Sequence, residues 1–272
     1  MSALARLAAV AFALPLAFVA SAFAASPHCA APARFLSVGA ALPHAGTRLT
    51  EGKSLTILAI GSSSTAGFGA STPAASYPSR LERDLRADFD GVEIRVINRG
   101  VGGQDVPEEL SRLARDIAEE HPQLVIWQVG TNAVLRRDDV AADERLIERG
   151  VALVKAQGID LILMDLQYAP RVLPRRSYGR MEAAIAEIAR RSGVGFFRRF
   201  AMMEYWTTHR EYGPADLIGR DGLHMTDFSY GCLGDILARA LVLEWRSTIA
   251  GRRAAPIQAA AVKLDRSAPP RH

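Results

Sequence analysis

Five short apolar, β-branched runs, separated by four charged segments of helical periodicity, constrain this chain more than any other feature. The runs fall at 54–60 (SLTILAI), 92–97 (VEIRVI), 124–129 (LVIWQV), 159–166 (IDLILMDL) and 194–197 (VGFF); the helical segments fall at 78–89, 105–120, 138–156 and 177–192. A strand that is apolar on nearly every residue has no face to give to water, so its sheet must be covered on both sides. Alternation with helices supplies that cover and predicts an α/β fold around a parallel sheet. The helix punctuation agrees. Asp105-Val-Pro-Glu108 offers an N-cap, an early proline and an acid three residues on, and Gly158 and Gly193 stand where helix C-caps belong. No internal repeat is present.

The two ends read differently. "MSALARLAAVAFALPLAFVASAFAAS" carries one charge, Arg6, then an apolar run broken only by Pro15 and closed by Ala22-Phe-Ala24. That pattern predicts a signal peptide over residues 1–24, with an uncleaved anchor as the alternative, and an exported, periplasmic or secreted protein. Residues 25–53, rich in Ala, Pro and Gly, read as an N-terminal arm, 54–249 as one sizeable domain with its own core, and 250–272 as a mobile tail. The net charge of +4 becomes +3 without Arg6, and its arginines are interspersed with acids. Such mixing describes solvated helix faces rather than a nucleic-acid stripe. Cys29 and Cys232 can pair in an oxidising compartment or remain unrelated thiols, and spacing alone leaves both open.

In open α/β sheets ligands bind beyond the carboxyl ends of the strands. The turns after the first three runs read "GSSSTAG", "NRGVGGQD" and "GTNAV". A Walker phosphate loop fails, because Gly67 lies one residue too far from Gly61 and Phe68 replaces the lysine. A dinucleotide fingerprint fails too, since Gly67-Phe-Gly69-Ala-Ser-Thr72 lacks its third glycine. A solvated Gly/Ser turn and a nucleophile turn both remain, and Ser62, Ser63 and Ser64 look alike locally. A nucleophilic serine needs a base and an orienting acid. Of six histidines, His28 and His44 lie in the arm, His272 is the terminus, His121 precedes a proline at a helix end, and His209 sits among aromatics. His224, in Asp221-Gly-Leu-His224, precedes a helical pattern from about 228 to 247 and has an acid three residues before it.

Together these blocks resemble the SGNH (GDSL-type) hydrolase family, over roughly residues 54–245. "GSSSTAG" is similar to its G-D-S block, with Gly61, Ser62 and Ser63 on the three positions. Gly103 in "NRGVGGQD" falls on the oxyanion-hole glycine, Asn132 in "GTNAV" on the G-x-N amide, and "DGLH" on D-x-x-H. Two departures stand out: Ser62 replaces the usual aspartate, and Ala133 the acid that often follows the asparagine. The resemblance implies a three-layer α/β/α sandwich with a mostly parallel five-stranded sheet, flavodoxin-like in order. It implies a Ser63, Asp221, His224 triad, an oxyanion hole of Ser63, Gly103 and Asn132, and ester hydrolysis with no metal or cofactor.

Tyr168, Arg171, Arg175 and Arg176 follow the fourth run, and Met202, Met203, Tyr205 and Trp206 come later. Tyr168, Arg171 and Trp206 are candidates for a substrate wall; a solvated loop and a buried helix face are the alternatives. The expected partner is a small-molecule or glycan ester, such as acylated cell-envelope carbohydrate, and no nucleic acid. Acyl transfer to a glycan hydroxyl by the same site and a non-catalytic binding protein with a decayed site are the competing functions.

Overall fold

The structure, a computed structural model, describes residues 29–136, 139–209 and 212–266, with side chains to residue 250. The expected leader, residues 1–24, lies outside the described residues. The chain divides into two units, Met1–Ala30 and Ala31–His272, and only Cys29 and Ala30 of the first are described. Neither cysteine is a free thiol: Cys29 and Cys232 are both disulfide-bonded. The account below concerns the second unit.

Strands β1 (Leu55–Gly61), β2 (Ile94–Gly100), β3 (Leu124–Gln128), β4 (Asp160–Met164) and β5 (Gly195–Phe197) make one sheet in the order β2-β1-β3-β4-β5. Every pairing is parallel, as the apolar runs predict. The helices are α1 (Pro43–Thr50), α2 (Ser63–Ala66), α3 (Tyr77–Asp88), α4 (Val106–Glu120), α5 (Thr131–Arg136), α6 (Val140–Ala156), α7 (Tyr178–Ser192), α8 (Arg199–His209), α9 (Pro214–Leu217) and α10 (Asp227–Arg266). Crossovers between parallel strands are right-handed. The chain steps from β1 outward to β2, then back across to β3, β4 and β5. That reversal puts α3 on one face and α4, α6 and α7 on the other. α4, α6 and α7 pack in a row, while α10 lies against α3 and α1.

Leu55, Ile57, Leu58 and Ile60 of β1 have no exposed surface, and each such burial stabilises the fold by about 1.5–3 kcal/mol. Side chains alternate between the faces of a strand. On β3 this sends Trp127 toward α4 and α6, and Gln128 toward the opposite face. Gly150 of α6 makes room for the indole, since a Cβ there would sit 2.2 Å from Trp127 Cζ3. The indole Nε1 donates to Glu109 Oε2 of α4 at 2.9 Å.

The expected arm is part of the fold from Ala31 onward: Phe35, Val38, Leu42, Ala45 and Leu49 are buried, and the Ala45 N–H donates to Asp160 Oδ2 at 2.9 Å. Pro43 at the start of α1 and the i,i+4 spacing of Ala45 and Leu49 were the helix signals within "PHAGTRLT". At the other end α10 continues past 249, where the sequence reading ends the domain, to Arg266. The capping box at Asp105 and Glu108 is present, and Gly193 caps α7 in the left-handed conformation, as expected. His121 is itself a left-handed C-cap, at φ 47°.

Candidate active site

Gly61 pairs with Gly100 across β1 and β2, and Ile60 pairs with Trp127 across β1 and β3. The strands β2, β1 and β3 therefore end nearly level, and their glycine-rich turns meet at one edge of the sheet. The long loop before α10 brings His224 onto the same edge.

The three serines part company there. Ser63, at the first position of α2, places its Oγ 2.9 Å from His224 Nε2. Ser62 turns the other way: its N–H and its Oγ both donate to Gln128 Oε1, at 3.1 and 3.0 Å. Ser64 Oγ donates to the same oxygen at 3.0 Å and accepts from Arg199 Nη1 at 2.8 Å. Both flanking hydroxyls are thus consumed below the turn, and the middle one is left for the imidazole.

On its far side His224 Nδ1 is hydrogen-bonded to Asp221 Oδ2. The other carboxylate oxygen accepts the backbone N–H groups of Leu223 and His224, each at 3.0 Å. Burial pushes the Asp221 pKa up, but the Leu223 N–H, the imidazole and the His224 N–H outweigh it and hold the group below the usual carboxylate value. Asp221 is therefore anionic at neutral pH and fixes which imidazole nitrogen faces Ser63. Gln167 Nε2 donates to the Leu223 carbonyl at 2.6 Å, tying this loop to the end of β4.

The expected oxyanion groups lie on the turns after β1, β2 and β3. Gly103 has φ +82°, a left-handed conformation that favours glycine. Among the described residues, neither the Ser63 nor the Gly103 N–H meets an acceptor. Asn132 Nδ2 donates one hydrogen to the Gln104 carbonyl at 2.7 Å, leaving its second for a ligand. Arg112 braces this side: Nε donates to Gln104 Oε1 at 2.7 Å and Nη2 to the Gly61 carbonyl at 3.1 Å, while Nη1 pairs with buried Asp116. The guanidinium of Arg136 lies beside Gly103, with Nη2 3.3 Å from where a Cβ would be.

The substrate-wall candidates divide. Tyr168 is half-buried, edge-on to Phe200 with ring centroids 5.2 Å apart. Arg171 is exposed and lies over the Asp221 turn, its N–H donating to the Gly222 carbonyl at 3.0 Å. Trp206 is corrected: it is fully buried with Met202 and Met203, because α8 turns its apolar side into the core. His209 is exposed and stacks on Tyr205, at 4.8 Å between centroids.

Three residues of this site escape sequence reasoning. Gln128 had a signal, as the one polar residue in "LVIWQV" at a strand's carboxyl end. Phe68 had another, an aromatic between two glycines. Arg199 had none, although it is fully buried and ties three turns together. Besides Ser64 it donates to the carbonyls of Asp165 at 2.6 Å and Leu166 at 3.2 Å, and it approaches Thr131 Oγ1 at 3.5 Å. Burial pushes the Asp165 carboxyl up to about 7, against the pull of the Phe200 N–H and of Arg199. Among the described residues no three His, Cys, Asp or Glu side chains converge to hold a metal ion, and no helix is long and apolar enough to cross a membrane.

The sequence model described as "Non-GDSL lipase-like family" matches residues 28–246. Esterase TesA of Pseudomonas aeruginosa is 30% identical over 144 residues, 52% of this chain and 70% of that protein. An arylesterase of Vibrio mimicus is 24% identical over 188 residues, 68% of this chain and 88% of that protein. Among solved structures, a variant of Axe2, an acetyl-xylooligosaccharide esterase from Geobacillus stearothermophilus, superposes with a TM-score of 0.58 at 25% identity, covering 71% of this chain and 94% of that one.

Proposed function

This chain belongs to the non-GDSL lipase-like family and is an SGNH-type hydrolase, and on that premise we propose that it is a serine esterase working through an acyl-serine intermediate on Ser63. The observation that carries the reading is the 2.9 Å contact between Ser63 Oγ and His224 Nε2, with Asp221 on the other imidazole nitrogen. His224 takes the hydroxyl proton as Oγ attacks the ester carbonyl carbon. The resulting oxyanion accepts hydrogen bonds from the N–H groups of Ser63 and Gly103 and from the free hydrogen of Asn132 Nδ2. Collapse breaks the bond to the alcohol, whose oxygen receives the proton back from His224. Water then attacks the acyl-serine, with His224 again as base, and the free acid leaves. Asp221 stabilises the imidazolium that forms twice in this cycle.

The substrate class we infer is an acyl ester of carbohydrate, supported by the likeness to an esterase of acetyl-xylooligosaccharides and by the exported character of the leader. On the same reading residues 1–24 are removed on export and the mature protein works in the periplasm or outside the cell. Ser63→Ala is expected to abolish both hydrolysis of p-nitrophenyl acetate and labelling by a fluorophosphonate, while Ser62→Ala keeps both. Undiminished hydrolysis by the Ser63→Ala protein would overturn the proposal. Product analysis with a glucan present reads free acid for hydrolysis and acylated sugar for transfer.

A further inference from the structure

Phe68 is a large aromatic held in the open beside the reactive groups. It is 53% exposed, and Val101, on the neighbouring turn, is 42% exposed. A buried phenyl would be worth a few kcal/mol, so a ring left in water on a well-braced loop marks a place where something else covers it. The loop is well braced. Gly67 and Gly69 flank the ring at φ +93° and +88°, and the Phe68 carbonyl accepts from Tyr230 Oη at 2.8 Å. Gly69 lies so close to the His224 segment that a Cβ there would stand 2.5 Å from the Met225 carbonyl oxygen. These contacts fix the backbone that carries the ring at this place on the turn.

Its position is specific. The ring centroid lies 5.6 Å from that of the His224 imidazole, and its tip rests on Gly102, where a Cβ would be only 2.8 Å from Phe68 Cζ. The phenyl thus spans from the base to the oxyanion turn. In ester cleavage the leaving oxygen must come within hydrogen-bond reach of the imidazole that returns its proton. The group carried by that oxygen then lies beside Phe68.

We propose that Phe68 is the leaving-group subsite of this enzyme and takes alcohols that carry a ring with a flat C–H or π face, a pyranose being the form that fits an acylated carbohydrate. This rests on the serine-esterase reading above. Ring-on-ring contacts contribute enough to change a rate constant about two- to tenfold. The experiment compares kcat/KM for three acetates that share one acyl group: methyl 6-O-acetyl-glucopyranoside, cyclohexylmethyl acetate and ethyl acetate, with benzyl acetate as the aryl arm. Activity of the unaltered protein on any of them, lost in Ser63→Ala, establishes the esterase reading first; its absence counts against that reading and not against the subsite. In Phe68→Ala and Phe68→Leu the ratio of each ring ester to ethyl acetate is expected to fall about two- to tenfold, with Phe68→Tyr close to the parent. The sugar arm falling with the aryl arm unmoved assigns a carbohydrate, and the reverse an aryl alcohol. A ratio unchanged in both variants, or a Leu variant that keeps the parent ratio, overturns the proposal.

Discussion

Arg199 offers the sharpest quantitative test, because its environment leaves few ways to compensate for its loss. In Arg199→Met the unbranched side chain refills most of the volume but donates nothing. Three acceptors then lose a partner in the dry interior: Asp165 O at 2.6 Å, Ser64 Oγ at 2.8 Å and Leu166 O at 3.2 Å. Hydrogen bonds from a charged donor contribute about 1.5–3 kcal/mol each. Three at the low end give about 4–5 kcal/mol, within the ~3–5 kcal/mol that breaking a buried charged contact costs. At ~2–4 °C per kcal/mol for a domain of this length, Tm falls by roughly 10–15 °C. Urea titration at constant m reads the loss directly. The folded fraction is also expected to lose about 10- to 100-fold in kcat with KM little changed, because Ser64 neighbours the nucleophile and misplacement of that size is what loosened positioning costs. Arg199→Lys keeps the charge but cannot span three acceptors, and it should recover less than half of the stability. A Met variant within about 1 kcal/mol of the parent at equal m would refute the assignment of Arg199 as the tie between the turns.

Asn132→Ala removes one oxyanion donor and is expected to lower kcat about 10²–10³-fold on p-nitrophenyl acetate, with KM held; a loss under threefold contradicts that role. Glu109 is buried against Trp127, and burial raises its pKa from 4.5 to about 8, against the hydrogen bond from Trp127 and the charge of Arg112. A folded pKa above the unfolded one contributes stability that is complete below about pH 4.5 and is lost as pH rises through about 8. Glu109→Gln should therefore gain on the parent by a few kcal/mol between pH 5 and 8 in urea titrations, and a constant difference across that window counts against it. Gly100→Ala would place a Cβ 2.1 Å from the Ala66 backbone nitrogen, so the nucleophile helix must shift. We expect at least ~1–3 kcal/mol lost stability and a sharp fall in kcat, and a parent-like kcat excludes the close approach.

The strands were legible because burial on both faces leaves a continuous apolar signature, and the observed bounds differ from the runs by a residue or two at most ends. The site blocks were legible for a different reason: Ser63, Gly103 and Asn132 lie in the turns just after strands, and His224 stands three residues ahead of α10 with an acid three residues before it. Their support was not. Whether Gln128 points up or down is fixed by the pleat of a strand whose register the sequence does not state. Arg199 is one arginine among many until β5 and α8 carry it beneath three turns. Trp206 shows the converse, an aromatic whose proximity in sequence to polar residues says nothing of the helix face it occupies. The helix at 43–50 kept its opening proline as a signal, but the Ala, Pro and Gly around it weaken the periodic pattern.

Ser62 and Ser64 hang the Ser63 turn from one amide oxygen and one guanidinium, with no carboxylate hydrogen-bonded to either hydroxyl. Hydroxyls and amides carry no titratable proton, and guanidinium keeps its own through the range in which proteins function. Acidification from about pH 8 to 4 thus alters the charge of nothing that touches Ser62 or Ser64 through a side chain. The titrating group that stands nearest this joint is one step removed: the Asp165 carboxyl, pushed up to about 7 by burial, acts on it only through the charge of Arg199. Serine at position 62 exchanges a charge that must be managed for a contact that needs no management.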